Sequence, residues 1–111
     1  MGGFSSGGRV ALHAVLTGAV QAKGLILVAP WLPNIVQVAP MLPILARDGV
    51  RTYLICGDLD RDCYESTNRL AELMERDHVQ FRYQVLKGNG HHYPNNFDEE
   101  LGKARSFILG E

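Results

Sequence analysis

The sequence carries almost no net charge: 11 Lys and Arg stand against 12 Asp and Glu, a formal charge of -1. Nucleic-acid binding draws most of its affinity from a clustered basic surface, so the balance disfavours a polyanion partner. Cysteine is scarce. Cys56 and Cys63 make neither a disulfide framework nor a zinc-finger spacing. Cys56 lies in an apolar run, where a free buried thiol is expected, and a reducing cytoplasm fits such a pair. Long hydrophobic runs are missing. The longest, Leu25 to Leu32, is interrupted by Pro30 and far too short to span a bilayer. The opening residues Met-Gly-Gly-Phe-Ser lack the charged and apolar regions of a secretory leader. No internal repeat or low-complexity segment is visible. With 111 residues, the chain fits one small domain but is short for a complete enzyme built on alternating strands and helices.

What is there is an ordinary core composition, 46% hydrophobic, in which short apolar runs alternate with longer amphipathic ones. Gly24 to Ala29 is a continuous apolar run stopped by Pro30, the pattern of a strand buried on both faces. Arg51 to Cys56 is a second, closed by Gly57. Gln80 to Leu86 alternates more, which suits a strand nearer an edge. Helical spacing runs from Gly8 to Thr17, with Gly18 as its stop, and from Ser66 to Arg76. A last helix is capped by Asn96 or Asp98 and uses Leu101, Ala104, Ile108 and Leu109. Pro40 to Ala46 suggests a short helix. This alternation predicts an α/β fold: three layers, a parallel sheet of about three strands, and flanking helices.

Three loops carry groups with chemistry. Gly3-Phe4-Ser5-Ser6-Gly7 matches G-x-S-x-G. A nucleophile on a sharp strand-to-helix turn takes strained backbone angles, so the residues two before and two after it must be small. Gly3 and Gly7 meet that demand around Ser5, whereas Ser6 would have Phe4 two places before it. The Ser6 N–H, at the start of the following helix, is placed to donate to a developing oxyanion. A plain Gly/Ser leader is the simpler reading of these five residues. A phosphate-binding loop is not, because Gly8-Arg9-Val10 lacks the Lys-Ser/Thr ending.

The second loop, Gly57-Asp58-Leu59-Asp60, and the third, Lys87-Gly88-Asn89-Gly90-His91-His92-Tyr93-Pro94, each follow a predicted strand. In open parallel sheets, catalytic groups gather at that end of the strands. A serine hydroxyl needs a base, and the base needs a group to orient it. The chain order Ser, Asp, His is the one used by hydrolases with a Ser elbow. Asp58 and Asp62 compete with Asp60, and His92 with His91. No Cys/His/Asp set has metal-ligand spacing. His13 and His78 read as structural or solvated.

At these residues the chain resembles the α/β-hydrolase superfamily, in its phospholipase/carboxylesterase-like branch, which includes acyl-protein thioesterases. Gly3 to Gly8 followed by an Ala/Leu-rich helix looks like the elbow, and Ala29-Pro30-Trp31-Leu32-Pro33 is similar to the segment after the next strand. Gly57-x-x-Asp60 looks like the acid turn and Gly88-x-Gly90-His91 like the histidine loop, which favours Asp60 and His91 over their neighbours. The resemblance implies an incomplete α/β-hydrolase fold, a single partial domain over residues 1–111 corresponding to the C-terminal half, from elbow to last helix. Only Met1 and Gly2 precede the elbow motif, so the strand leading into it and the loop giving a second oxyanion donor are expected to be absent. The Leu25–Ala29 strand would then expose a sheet edge. Either another copy of the chain or an N-terminal segment would cover it.

The sequence therefore leads to a serine hydrolase of carboxylic ester or thioester bonds. Ser5 is the nucleophile, His91 the base, Asp60 its orienting acid and the Ser6 N–H the oxyanion donor. Trp31, Leu32, Ile35 and Tyr93 are candidates for the acyl pocket, with core packing a rival role for Leu32 and Ile35. The expected substrate is a small-molecule acyl ester or thioester. No cofactor, metal, nucleic acid or membrane span is implied, and the expected location is cytoplasmic. The alternatives are a non-catalytic fragment or assembly module that retains the motifs, and a peptidase of the same superfamily.

Overall fold

The computed structural model describes residues 1–33, 35–91 and 96–110. Among these residues, four strands, β1 (Gly2–Phe4), β2 (Gly24–Val28), β3 (Arg51–Gly57) and β4 (Phe81–Leu86), form one sheet in the order β1-β2-β3-β4. Every pairing is parallel. Helices α1 (Ser6–Leu16), α2 (Ile35–Val38), α3 (Pro43–Arg47), α4 (Tyr64–Arg76) and α5 (Phe97–Leu109) fill the connections and the C-terminal segment, with a 3-10 turn at Ala39–Met41.

The alternation of side chains along β2 and β3 builds two cores. Leu25, Leu27 and Leu54 face one layer, where they pack with Leu12, Val15 and Leu16 of α1, Leu45 of α3, and Leu70 and Met74 of α4. Val28, Tyr53 and Ile55 face the other, against Ala104 and Phe107 of α5. Burying each such leucine contributes about 1.5–3 kcal/mol. On the α5 side the packing is close: a Cβ at Gly24 would stand 2.4 Å from Ile108 Cγ2. This is the expected three-layer α/β arrangement.

The sheet has one strand more than the sequence predicted. Gly2-Gly3-Phe4 pairs with β2 in the register Gly2↔Ile26, Gly3↔Leu27, Phe4↔Val28. The β2 strand therefore has a partner on each side, and the expectation that it would form the exposed edge is corrected. Pairing rather than composition makes β1 a strand, since two glycines give it little intrinsic preference. The terminal amine of Met1 adds a hydrogen bond to Gly24 O at 3.1 Å. Among the described residues β4 pairs only with β3, as its alternation suggests for a strand nearer an edge.

The segment around Pro40 also differs from expectation. A single helix over Pro40–Ala46 is replaced by the 3-10 turn and α3, which starts at Pro43. Pro43 cannot donate an N–H inside a helix and suits a first-turn position. No helix among the described residues is long and apolar enough to cross a membrane.

Candidate active site

Ser5 sits between β1 and α1 with φ 56 and ψ -120. A non-glycine residue held there costs of order 1–3 kcal/mol unless its surroundings compensate. They do so through the backbone. Ser5 N–H donates to Val28 O at 3.0 Å, and Ser5 O accepts from the N–H groups of Gly8, Arg9 and Trp31 at 3.0, 3.3 and 3.0 Å. The turn is thus pinned to β2 on one side and to the start of α1 on the other. Its side chain is left at the C-terminal edge of the sheet.

The glycines around the turn divide differently from the expectation. A Cβ at Gly3 would lie 2.3 Å from Gly7 O, so that position admits only glycine. At Gly7 a Cβ would meet nothing within 4 Å, which corrects the requirement for a small residue two places after Ser5. The second tight position is Gly8, whose Cβ would stand 3.1 Å from Pro30 Cβ. Ala29, with φ 44, bends the chain after β2 so that Pro30 lies over Gly8 and Trp31 N–H reaches Ser5 O.

After β3, Asp60 is 1% exposed. One of its carboxylate oxygens accepts the Cys63 N–H at 3.1 Å, while the other lies 2.5 Å from His91 Nδ1. His91 Nε2 lies 2.8 Å from Ser5 Oγ. The imidazole stacks on Phe4, with ring centroids 4.9 Å apart, and its side chain is 37% exposed. Residues 86 positions apart in the chain thus meet in a line hydroxyl–imidazole–carboxylate. With Nδ1 protonated and donating to Asp60, Nε2 is free to accept a proton from Ser5.

The competing aspartates take other places. The Asp58 carboxylate accepts the Gly88 N–H at 2.8 Å, and its own N–H donates to Leu86 O at 3.1 Å. It ties the histidine loop to the turn after β3. That tie continues through Leu59 N–H to Asn89 O at 2.9 Å. Gly57 makes it possible, because a Cβ there would lie 2.1 Å from Asn89 O. Asp62 is exposed, on the wall of a neighbouring groove. Sequence reasoning missed the positioning roles of Asp58, Gly8 and Gly57. A Gly-Asp pair ending one predicted strand and a glycine loop ending the next were the only signals available.

Ser6 opens α1, so its N–H has no acceptor inside the helix and lies at the positive end of the helix dipole. Trp31 is 43% exposed and lines a groove of about 570 Å³ that runs past Arg61 and Asp62, the neighbours of Asp60. Ile35 lines the same groove and also packs against the core. Leu32 is 3% exposed and belongs to the core, although it reaches both this groove and a smaller one. Tyr93 and His92 lie outside the described residues.

Asp60, Cys63 and His91 bring three potential metal-ligand atoms within 4.8 Å of one another, a cluster the sequence spacing did not reveal. Two ligands each about 2.0 Å from a tetrahedral ion stand roughly 3.3 Å apart. The His91–Asp60 contact at 2.5 Å is a hydrogen bond and leaves no such span between them. Burial, helped by the Asp60 charge, pushes the Cys63 thiol up to about 12. Burial likewise pushes Cys56 up to about 11. Both stay protonated near neutrality, unsuited to nucleophilic attack.

A parallel sheet with its serine turn, acid turn and histidine loop along one edge is the C-terminal half of an α/β-hydrolase fold, and the chain belongs with that fold. It is similar to an uncharacterized protein from Bacillus cereus, at 36% identity and a TM-score of 0.95, over 98% of this chain and 35% of that one. Two other solved structures share the fold at lower identity. SOBER1 from Arabidopsis thaliana is 21% identical with a TM-score of 0.73, over 98% of this chain and 50% of its own. A candidate α/β hydrolase from Agrobacterium tumefaciens is 20% identical with a TM-score of 0.74, over 99% and 50%. The chain therefore spans about a third to a half of the length of these structures. No protein-family model and no curated protein matches the sequence.

Proposed function

We propose that the chain carries the catalytic residues of a serine hydrolase acting on carboxylic ester or thioester bonds. One observation supports this reading above the others. The hydroxyl of Ser5, on a strained turn, lies within hydrogen-bond reach of an imidazole whose other nitrogen faces a buried carboxylate. In the first step, Ser5 Oγ attacks the acyl carbon while His91 Nε2 takes its proton. The carbonyl oxygen becomes an oxyanion, to which the Ser6 N–H donates. Asp60 holds the imidazole in the required tautomer and stabilises its charged form. His91 then returns the proton to the departing alcohol or thiol, leaving an acyl-serine. Water repeats the sequence to release the acid. A single oxyanion donor of this kind contributes about 2.7–4 kcal/mol to such a step.

The test is hydrolysis of nitrophenyl butyrate by the full chain and by Ser5→Ala, with size-exclusion chromatography to fix the assembly being assayed. The proposal requires turnover that disappears in Ser5→Ala. A folded wild-type chain without turnover favours the non-catalytic assembly module instead. Equal turnover by the two proteins removes Ser5 as the nucleophile.

A further inference from the structure

Two grooves share Leu32 as a lining residue, and their charges differ. The larger, lined by Trp31, carries Asp62, Glu65 and Glu72 against Arg61 and Arg69, and Arg69 is already paired with Glu72 at 3.2 Å. Its balance does not favour an anion. The smaller groove, of about 350 Å³, is lined by Arg9, Val10, His13, Leu32, Gln37 and Val38, with no acidic residue among them. Its volume falls in the range of small-molecule sites, roughly 300–1,000 Å³.

Arg9 supplies the guanidinium of that groove. Its guanidinium lies over the Trp31 ring, 5.7 Å from the centroid. Both residues are tied to the nucleophile, because their backbone N–H groups donate to Ser5 O. Among the described residues Arg9 forms no ion pair with a carboxylate, whereas Arg47, Arg69 and Arg76 each do. A guanidinium oriented by an aromatic face, beside Val10, Leu32 and Val38 and without its own counter-ion, matches a ligand with an apolar stem and a carboxylate end.

We propose that Arg9, one helical turn along α1 from Ser5, is a specificity-determining residue, which anchors a carboxylate carried by the acyl substrate in the groove between α1 and α2. This rests on the reading of Ser5 as the nucleophile. The preferred substrates are then esters or thioesters of dicarboxylic acids, with the second carboxylate left free. Arg9 supplies two parallel N–H donors to that carboxylate, while Val10, Leu32 and Val38 give the groove an apolar wall for the methylenes next to it.

Trp31 is the single tryptophan of the chain and lies against the Arg9 guanidinium, so its fluorescence reports on what Arg9 binds. The experiment titrates the full chain with adipate, and with uncharged adipamide as the isosteric control, at matched ionic strength. A saturable change with adipate, at least tenfold weaker for adipamide, is expected. Arg9→Gln should weaken adipate at least tenfold, and Arg9→Lys, which keeps the charge but loses the fork, should lie between. No saturable change with adipate, equal affinity for adipamide, or an Arg9→Gln protein within twofold of wild type overturns the proposal. Binding is read here without turnover. Failure of this test is therefore distinguishable from failure of the nitrophenyl-ester test.

Discussion

Replacing Asp60 by Asn changes one atom and should disable the site. The Asp60 side chain is buried and uses both oxygens, one toward the Cys63 N–H at 3.1 Å and one toward His91 Nδ1 at 2.5 Å. An asparagine must keep its carbonyl toward the Cys63 N–H, because the reverse orientation would set two donors against each other in a buried place. Its amide then points at His91 and donates to Nδ1. The imidazole is forced into the tautomer protonated at Nε2, which faces Ser5 Oγ and cannot accept the hydroxyl proton. A wrong tautomer in a site of this kind lowers kcat by about 10⁴, equivalent to roughly 5.4 kcal/mol at 1.36 kcal/mol per decade. The comparison protein is Asp58→Asn, whose carboxylate ties Gly88 rather than His91 and should cost far less. Rates of fluorophosphonate labelling for the two variants, with circular dichroism to check folding, make the measurement. Asp60→Asn retaining more than a tenth of the wild-type rate would refute the tautomer argument.

Three further outcomes follow from the packing. Gly57→Ala puts a Cβ 2.1 Å from Asn89 O, so the histidine loop must shift. Overpacking of this kind costs about 1–3 kcal/mol, read in chemical denaturation, with labelling lost even where the fold survives. Cys56 and Cys63 are buried with thiols raised to about 11 and about 12. At pH 8 the thiolate fraction is then roughly 10⁻³ and 10⁻⁴, and iodoacetamide should modify neither until the protein is unfolded, as mass spectrometry will report. His78 is exposed after α4 with φ 60. Replacing it by Gly relieves the left-handed backbone and should raise stability by about 0.5–1 kcal/mol, visible as a Tm increase of a few degrees.

The parts of the fold legible in the sequence were those whose pattern is local. The β2 and β3 strands announce themselves as apolar runs closed by Pro30 and Gly57, and α4 by Leu70, Leu73 and Met74 on one face with charges on the other. What escaped depends on contacts across the chain. Gly2-Gly3-Phe4 has no strand signature of its own and becomes a strand by lying along Ile26–Val28. Ile35–Val38, between Pro33 and Pro40, is too short to show a helical period. At the elbow, the pattern rightly required glycine at position 3. It pointed to Gly7 where the contact with Pro30 falls on Gly8, a distinction set by how Ala29 turns. The spacing of Ser5, Asp60 and His91 left three aspartates and two histidines in contention. Resemblance ordered them, and the distances place Asp60 and His91 in line with Ser5, Asp58 in a loop tie and Asp62 on an exposed groove wall.

The most direct measurement is the location of a covalent mark. After reaction with a fluorophosphonate, peptide mass spectrometry of the wild-type chain should find the adduct on Ser5, and Ser5→Ala should carry none. An adduct on Ser6 or on another residue, or one that persists in Ser5→Ala, would contradict the account.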